Sequence, residues 1–187
     1  MAMAKILTLW NDEGRNEGDT RILRAPSEDL VLPVDQKSRA VIECLIETFL
    51  SRNDAVGLAA PQIGINKRII IFRTRNFDKK DPIRNDQDYE FLINPRITQF
   101  RGEEEIMAEG CLSCPDIQVE IARYPEIKVR GLDASGKRIS KRYIDFAARV
   151  IQHELDHLEG KLIVDYDGAL YISKKKEHFF NKLFQQS

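Results

Sequence analysis

The segment His153-Glu154-Leu155-Asp156-His157 constrains this chain most, because its spacing has a chemical meaning only on a helix. Residues four apart lie one turn above each other on the same helix face, so His153 and His157 can direct two imidazoles at one ion. Glu154 can then reach a water molecule on that ion without being a ligand itself. This is how a helix supplies two metal ligands and a general base for hydrolysis. Because the chain has only three histidines, chance placement explains the pair poorly.

A catalytic site of this type has a third protein ligand and leaves one position open for water. The HExxHxxGxxH extension fails here, because its last position is Ile163. Glu177 has a spacing that permits ligation, whereas the neighbouring His178 is expected to be solvent-exposed. Cys111 competes with Glu177, since it lies between polar residues and a glycine, and a divalent ion would lower the pKa of its thiol. From the residues alone, both stay open.

Hydrophobic spacing predicts three helices, at residues 35–53, 145–159 and 173–184. In the second helix, Asp145 is the expected N-cap and Gly160 occupies the C-terminal stop position. The apolar side of the third helix is formed by Phe179, Phe180, Leu183 and Phe184.

Runs of β-branched and aromatic residues predict six strands, at residues 68–74, 89–94, 104–108, 117–121, 126–129 and 138–144. The last two are expected to form a hairpin with its turn at Gly136, and residues 76–88 are expected to form a surface loop. Strands clustered between helices favour an α+β fold. We therefore expect small mixed or antiparallel sheets packed around a central HExxH helix, with an N-terminal helix and a C-terminal helix.

Length and composition indicate one globular domain, or a core domain with a tail. The chain has 187 residues and a formal net charge of -1, so no basic excess points to sequence-specific nucleic-acid binding. It contains no run of about 20 apolar residues and no secretory signal, so we expect no membrane span and a cytoplasmic location. The three cysteines are then expected to be reduced or to bind metal, with Cys44 as a small buried side chain.

Three segments resemble the signature motifs of peptide deformylases, in that family's order. They are VGLAAPQIG at residues 56–64, EGCLS at residues 109–113 and QHELDHLEG at residues 152–160. Three matched motifs are far more specific than the histidine pair alone. The resemblance implies a catalytic domain over residues 1–170 and a helical tail over residues 171–187. It also implies that Cys111, rather than Glu177, is the third ligand.

The resemblance implies a hydrolase that removes the formyl group from the N-terminal formyl-methionine of newly synthesised proteins. Its metal ligands would be Cys111, His153 and His157. Metal-activated water would attack the formyl carbon, with Glu154 as general acid and base. The side chain of Gln62 and the backbone N–H of Leu112 would stabilise the oxyanion.

Ligands and partners follow from the same resemblance. Val56 and Gly57 would line the bound N-formylmethionyl peptide, which would add as an extended strand. The implied ion is Fe(II), with Zn(II) or Ni(II) as substitutes. A C-terminal helix contacts the ribosome in some members, although we slightly prefer a tail that packs on its own domain.

Some positions depart from the family pattern. Ala55 replaces a common glycine, which puts the loop shape in doubt if the site needs a positive φ. Cys114 replaces an aliphatic residue, and we expect an inert buried thiol. Arg149 stands in a stretch that is often apolar, where helical geometry places it near the rim of the substrate pocket. We also expect Glu109 to pair with Arg123.

Asp156 is expected to support the site from outside the ligand set, without necessarily accepting from a ligand histidine. Two other functions compete with the deformylase interpretation. A metalloendopeptidase would use Glu177 as its third ligand, and a binding module would hold a structural zinc with Cys114 as the fourth. Neither explains all three segments.

Overall fold

A computed structural model of the chain describes residues 4–75, 77, 88–133 and 135–184. The loop predicted at residues 76–88 therefore lies outside the described residues, apart from Phe77 and Asp88. The side chain of Phe184, which was placed on the apolar side of the tail, also lies outside them.

The helices occur where their apolar spacing predicted them, with one addition near the N-terminus. They are α1 (Glu17–Leu23), α2 (Gln36–Leu50), α3 (Asp145–Leu158) and α4 (Glu177–Phe184). Short 3-10 turns occupy Ala60–Ile63, Ile163–Asp165 and Lys174–Lys176. Helix α2 begins where the Asp35 carboxylate accepts a hydrogen bond from the backbone N–H of Ser38. The third predicted helix is shorter than expected, because its first turn is 3-10.

The strands form sheets whose ladders are antiparallel throughout the described residues. They are β1 (Trp10–Asn11), β2 (Gly14–Arg15), β3 (Gly57–Ala59), β4 (Ile69–Arg73), β5 (Tyr89–Arg101), β6 (Glu105–Cys111), β7 (Cys114–Arg123), β8 (Glu126–Leu132), β9 (Arg138–Ile144) and β10 (Leu170–Ile172). Their orders are β3-β4-β5-β8-β9, β10-β7-β6 and β1-β2. Gly136 has a φ of 82° in the turn of the β8–β9 hairpin. The predicted α+β class is confirmed.

Alternating residues of β4 place the five-stranded sheet between two apolar clusters, as the period of two along a strand requires. Ile69 and Ile71 pack with Phe49 of α2, in the first cluster. Ile70 and Phe72 face the second cluster, which contains the apolar side of α3. Helix α3 is consequently held against the sheet, with its opposite side free to form a site.

The start of α3 corrects the prediction that Asp145 is its N-cap. Strand β9 runs directly into the helix, so the N-cap is Ile144, whose backbone is extended and whose side chain cannot cap. Asp145 lies in the first turn, where a carboxylate favours the positive end of the helix dipole. Gly160 follows the helix with a φ of 72°, as predicted for a stop.

The C-terminal helix covers a third apolar cluster on the three-stranded sheet. Phe180 and Leu183 are buried there, and the Phe180 ring packs edge-on against Trp10 at a centroid distance of 5.4 Å. Lys174, Lys175 and Lys182 are exposed. None of the described helices is long and apolar enough to cross a membrane.

Candidate metal centre

A β-hairpin brings Cys111 to the side of α3 that carries His153 and His157. Cys111 ends β6 and is the register partner of Cys114, which begins β7. Although the hairpin and α3 are far apart in sequence, the ligand atoms of Cys111, His153 and His157 all lie within 4.8 Å of one another. Among the described residues, this group can hold a metal ion, and neither Glu177 nor Cys114 belongs to it.

Hydrogen bonds orient two of the three side chains. Nδ1 of His153 lies 3.0 Å from Oε2 of Glu109, which leaves Nε2 of that ring for an ion. Nε2 of His157 lies 3.2 Å from Sγ of Cys111. Both rings therefore have a nitrogen available on the side of the sulfur.

Glu109 is held in place by two arginines. Nε and Nη2 of Arg123 each donate to its carboxylate at 3.0 Å, which confirms the predicted pair. Nη1 of Arg149 donates to the same carboxylate at 2.7 Å. Asp156 accepts from Arg123 and Tyr166, so this motif residue supports Arg123 and not a histidine directly.

The electrostatics of the group favour a thiolate at Cys111. A hydrogen bond from the Cys114 thiol lowers the pKa of Cys111 well below its ordinary value, and His157 and His153 assist against the opposing effect of burial. The same hydrogen bond and burial raise the pKa of Cys114 well above its ordinary value. Cys114 is fully buried, as expected for an inert thiol.

Burial opposes ionisation of Glu109, but hydrogen bonds from His153 and Arg123 outweigh it and lower the pKa of this carboxyl to about 2. Burial also disfavours the charge of His153, although hydrogen bonds with Cys111 and Glu109 more than compensate and raise its pKa. Glu109 is consequently an anion at neutral pH, hydrogen-bonded to His153. Sequence reasoning paired Glu109 with Arg123 but did not predict its contact with His153.

Glu154 lies beside the group with an unusual environment for a carboxyl. It is only 3% exposed, and burial raises its pKa to about 7. Its Oε2 has no hydrogen-bond partner among the described residues. A Cβ at Gly57 would lie 2.8 Å from its Cδ, so β3 approaches Glu154 as closely as glycine allows.

Two donors lie near the sulfur. The Gln62 side chain is fixed because its Oε1 accepts from the Ala59 N–H at 2.9 Å, and its Nε2 lies 3.2 Å from Oγ of Ser113 and 3.8 Å from Sγ of Cys111. The backbone N–H of Leu112, directly after Cys111, has no partner within the described ranges. Both groups could therefore donate to an oxygen placed near Cys111.

A cavity of about 700 Å³ opens over the group. Val56 and Gly57 line it, and so does Arg149. Arg149 is only 6% exposed, which corrects its expected position at the rim to one within the wall. Phe146 and Tyr171 also line the cavity and were not predicted from the sequence. The helical spacing of Phe146 to His153 was the signal that could have identified it.

The remaining candidates lie elsewhere. Glu177 and His178 are exposed on α4. Ala55 is buried and does not have a positive φ, so the doubt about the loop shape is removed. Cys44 is partly buried against the first apolar cluster, which is close to the buried position expected for it.

The fold and the site together define an α+β protein in which a β-hairpin thiol joins two imidazoles of one helix beside a buried carboxyl. Residues 15–177 match the model of the polypeptide deformylase family. The chain belongs to this family of metalloenzymes, which remove the formyl group from the N-termini of new proteins.

Individual relatives agree with that membership. The chain is 40% identical over 157 residues to a peptide deformylase of Rickettsia typhi, covering 78% of this chain and 85% of the relative. The crystal structure of the Thermotoga maritima peptide deformylase superposes with a TM-score of 0.72 at 36% identity, covering 90% of this chain and 100% of that one. A Synechococcus elongatus peptide deformylase in complex with actinonin gives 0.71 at 30% identity, covering 98% and 86%.

Proposed function

We propose that this chain hydrolyses the formyl group of N-terminal formyl-methionine with a divalent ion held by Cys111, His153 and His157. One observation carries the proposal: these three ligand atoms converge beside Glu154, whose Oε2 is buried without a partner among the described residues. Such an oxygen is costly to bury unless it meets a polar group during function. A water molecule bound beside the three ligands would meet that need.

The donor set fits the ion that the family implies. The thiol pKa of Cys111 is lowered, and His153 keeps Nε2 available because Nδ1 is bonded to Glu109. When bound, the ion acts as a Lewis acid that acidifies water and polarises the formyl oxygen. We propose Fe(II) as the native ion, as the family resemblance implies. Zn(II) or Ni(II) are proposed as substitutes, because zinc binds such ligands more tightly than ferrous iron does.

Glu154 is proposed as the proton carrier. A carboxyl with a pKa of about 7 can accept a proton from the attacking water and return it to the leaving amine at neutral pH. Its position beside Gly57 keeps it next to the strand on which we place the peptide.

Gln62 and Leu112 are proposed as donors to the oxygen that becomes negative. The Gln62 amide is already oriented by the Ala59 N–H, so little reorganisation is needed when charge develops. The backbone N–H of Leu112 is fixed by its place in the β6–β7 hairpin.

The peptide is proposed to lie as an extended strand beside Gly57. β3 and β6 are both edge strands, and residues of both line the cavity. Edge strands offer the main-chain groups that bind an added strand. A class I type b peptide deformylase of Acinetobacter baumannii, 30% identical to this chain, has been crystallised with Met-Ala-Ser bound.

We also propose that residues 1–170 carry the chemistry and residues 171–187 form the tail. The aromatic side of the tail packs on the protein itself, which leaves its lysines for contact with the ribosome. Replacing Lys174, Lys175 and Lys182 with glutamate should then abolish co-sedimentation with ribosomes while formate release from a free peptide persists. Unchanged co-sedimentation would refute the ribosome contact.

The function is tested by measuring formate release, under anaerobic conditions, from formyl-Met-Ala-Ser. Acetyl-Met-Ala-Ser and an unblocked peptide serve as substrate controls, and neither should be cleaved. Glu154→Gln should retain the metal and lose activity, whereas the exposed Glu177→Gln should lose neither. Cleavage of the unblocked peptide, or loss of metal in Glu177→Gln, would instead indicate an endopeptidase.

A further inference from the structure

Arg149 places a charged side chain in the wall of the cavity beside the catalytic group. Arg149 lies one helical turn before His153 on α3, and Val150 lies one turn before Glu154. All four residues line the cavity. Arg149 is 6% exposed, so its accessible surface opens on this cavity. If the formyl group of a bound peptide lies at His153, the first side chain of that peptide can point either toward Arg149 or away from it.

Burial distinguishes two parts of the cavity lining. Arg149 and Val150 are buried, whereas Asp116, Gln118 and Tyr171, which also line the cavity, are exposed. One helical turn spans about 5.4 Å, which is close to the length of a methionine side chain. We therefore place the first side chain against the buried part of the lining, with its δ position near Arg149.

The guanidinium of Arg149 has unused N–H donors. Nη1 donates to Glu109 and to the Ile121 carbonyl, and Nη2 donates to the Glu105 carbonyl. Arginine has five N–H donors and does not lose its proton. Two donors are thus without a partner within the part of the chain that the structure describes.

The local charge favours a neutral acceptor over an anion. Arg149 and Arg123 are balanced by Glu109 and Asp156. Glu154 lines the same cavity and would repel a second carboxylate. An uncharged side chain with a strong acceptor at the δ position suits this part of the lining best.

We propose that the enzyme also deformylates peptides that begin with formyl-methionine sulfoxide, with Arg149 donating to the sulfoxide oxygen. The inference rests on the proposed deformylase function. Water adds to the formyl carbon, the C–N bond breaks, and formate and the free amine form while the sulfoxide is unchanged. An apolar wall would leave that oxygen unpaired, at a cost of roughly five- to 150-fold in binding.

The test compares kcat/KM for formyl-Met-Ala-Ser and its analogues that begin with methionine sulfoxide or norleucine. For the wild type, the sulfoxide value should be within about tenfold of the methionine value. Arg149→Leu should lower the ratio of sulfoxide to methionine by at least about tenfold and leave the ratio of norleucine to methionine unchanged. Arg123→Lys, which changes a Glu109 partner outside the cavity, should leave both ratios unchanged.

The wild-type measurement keeps the inference falsifiable if Arg149→Leu does not fold. Rejection of the sulfoxide peptide by more than about 100-fold, beside normal turnover of the methionine peptide, overturns the inference and leaves the proposed function intact. An unchanged ratio in a folded, metal-loaded Arg149→Leu also overturns it. If the methionine peptide itself is not deformylated, the proposed function fails and the inference falls with it.

Discussion

The carboxylate of Glu109 lies 3.0 Å from Nδ1 of His153, and Arg123 and Arg149 hold that carboxylate from two other sides. A carboxylate bonded to the far nitrogen of a ligand histidine fixes the ring and its tautomer. The EGCLS motif thus supplies the acceptor that orients His153 on a distant helix, and in the proposed function it would also supply the sulfur ligand.

Glu109→Gln should weaken metal binding by about 10- to 100-fold, because His153 loses its anionic partner. The measurement is the metal content after dialysis against a graded series of chelator concentrations. Glu104→Gln is the matched control, since Glu104 is exposed and precedes the same strand. Equal retention in the two variants would mean that Glu109 does not support the ligand.

The same carboxylate should make stability depend on acid pH. Its pKa falls from 4.5 to about 2 on folding, so its stabilisation is complete above pH 4.5 and is lost as pH falls through about 2. The difference in unfolding free energy between wild type and Glu109→Gln, on the order of 3 kcal/mol, should shrink across that window. Urea unfolding of metal-free protein at several pH values measures it, and a difference independent of pH would contradict the assignment.

Gly57→Ala should reduce activity strongly while the metal is retained, because the new Cβ would displace the Glu154 carboxyl. Gly18→Ala is the control: its Cβ would meet nothing closer than 3.8 Å, and alanine stabilises a helix. Steady-state kinetics with metal analysis checks both variants. Full activity in Gly57→Ala would show that the position of Glu154 next to β3 is not required.

Gln62→Ala should lower kcat by about 10²- to 10³-fold with a smaller change in KM, as expected for a donor that acts mainly on the developing charge. The metal content should stay close to that of wild type, since Gln62 is not one of the three ligands. If KM rises while kcat is unchanged, Gln62 binds the substrate instead.

Elements that are long enough to show a clear hydrophobic period were predicted from the sequence, and several short elements were missed. Helix α3 ends within one residue of its predicted boundary, because 14 residues display a clear apolar face. β3 and β10 have three residues each, too few for alternation to show. α1 was also missed; it has only seven residues, of which Leu23 is buried.

For the site, the motifs named the chemical groups but not their neighbours. Helical geometry, one turn before His153, placed Arg149 near the rim of the substrate pocket. Its burial depends on carbonyls of Glu105 and Ile121, which reach it only through the packing of β6 and β7 against α3. A pattern within one helix cannot contain that information.

The central claim is that Cys111 and the two histidines bind the same ion. X-ray absorption at the metal edge of the zinc-loaded protein tests it most directly. One sulfur at about 2.3 Å and two nitrogens at about 2.0–2.1 Å are expected, and the sulfur shell should disappear in Cys111→Asp. A first shell of nitrogen and oxygen alone in the wild type would contradict the claim.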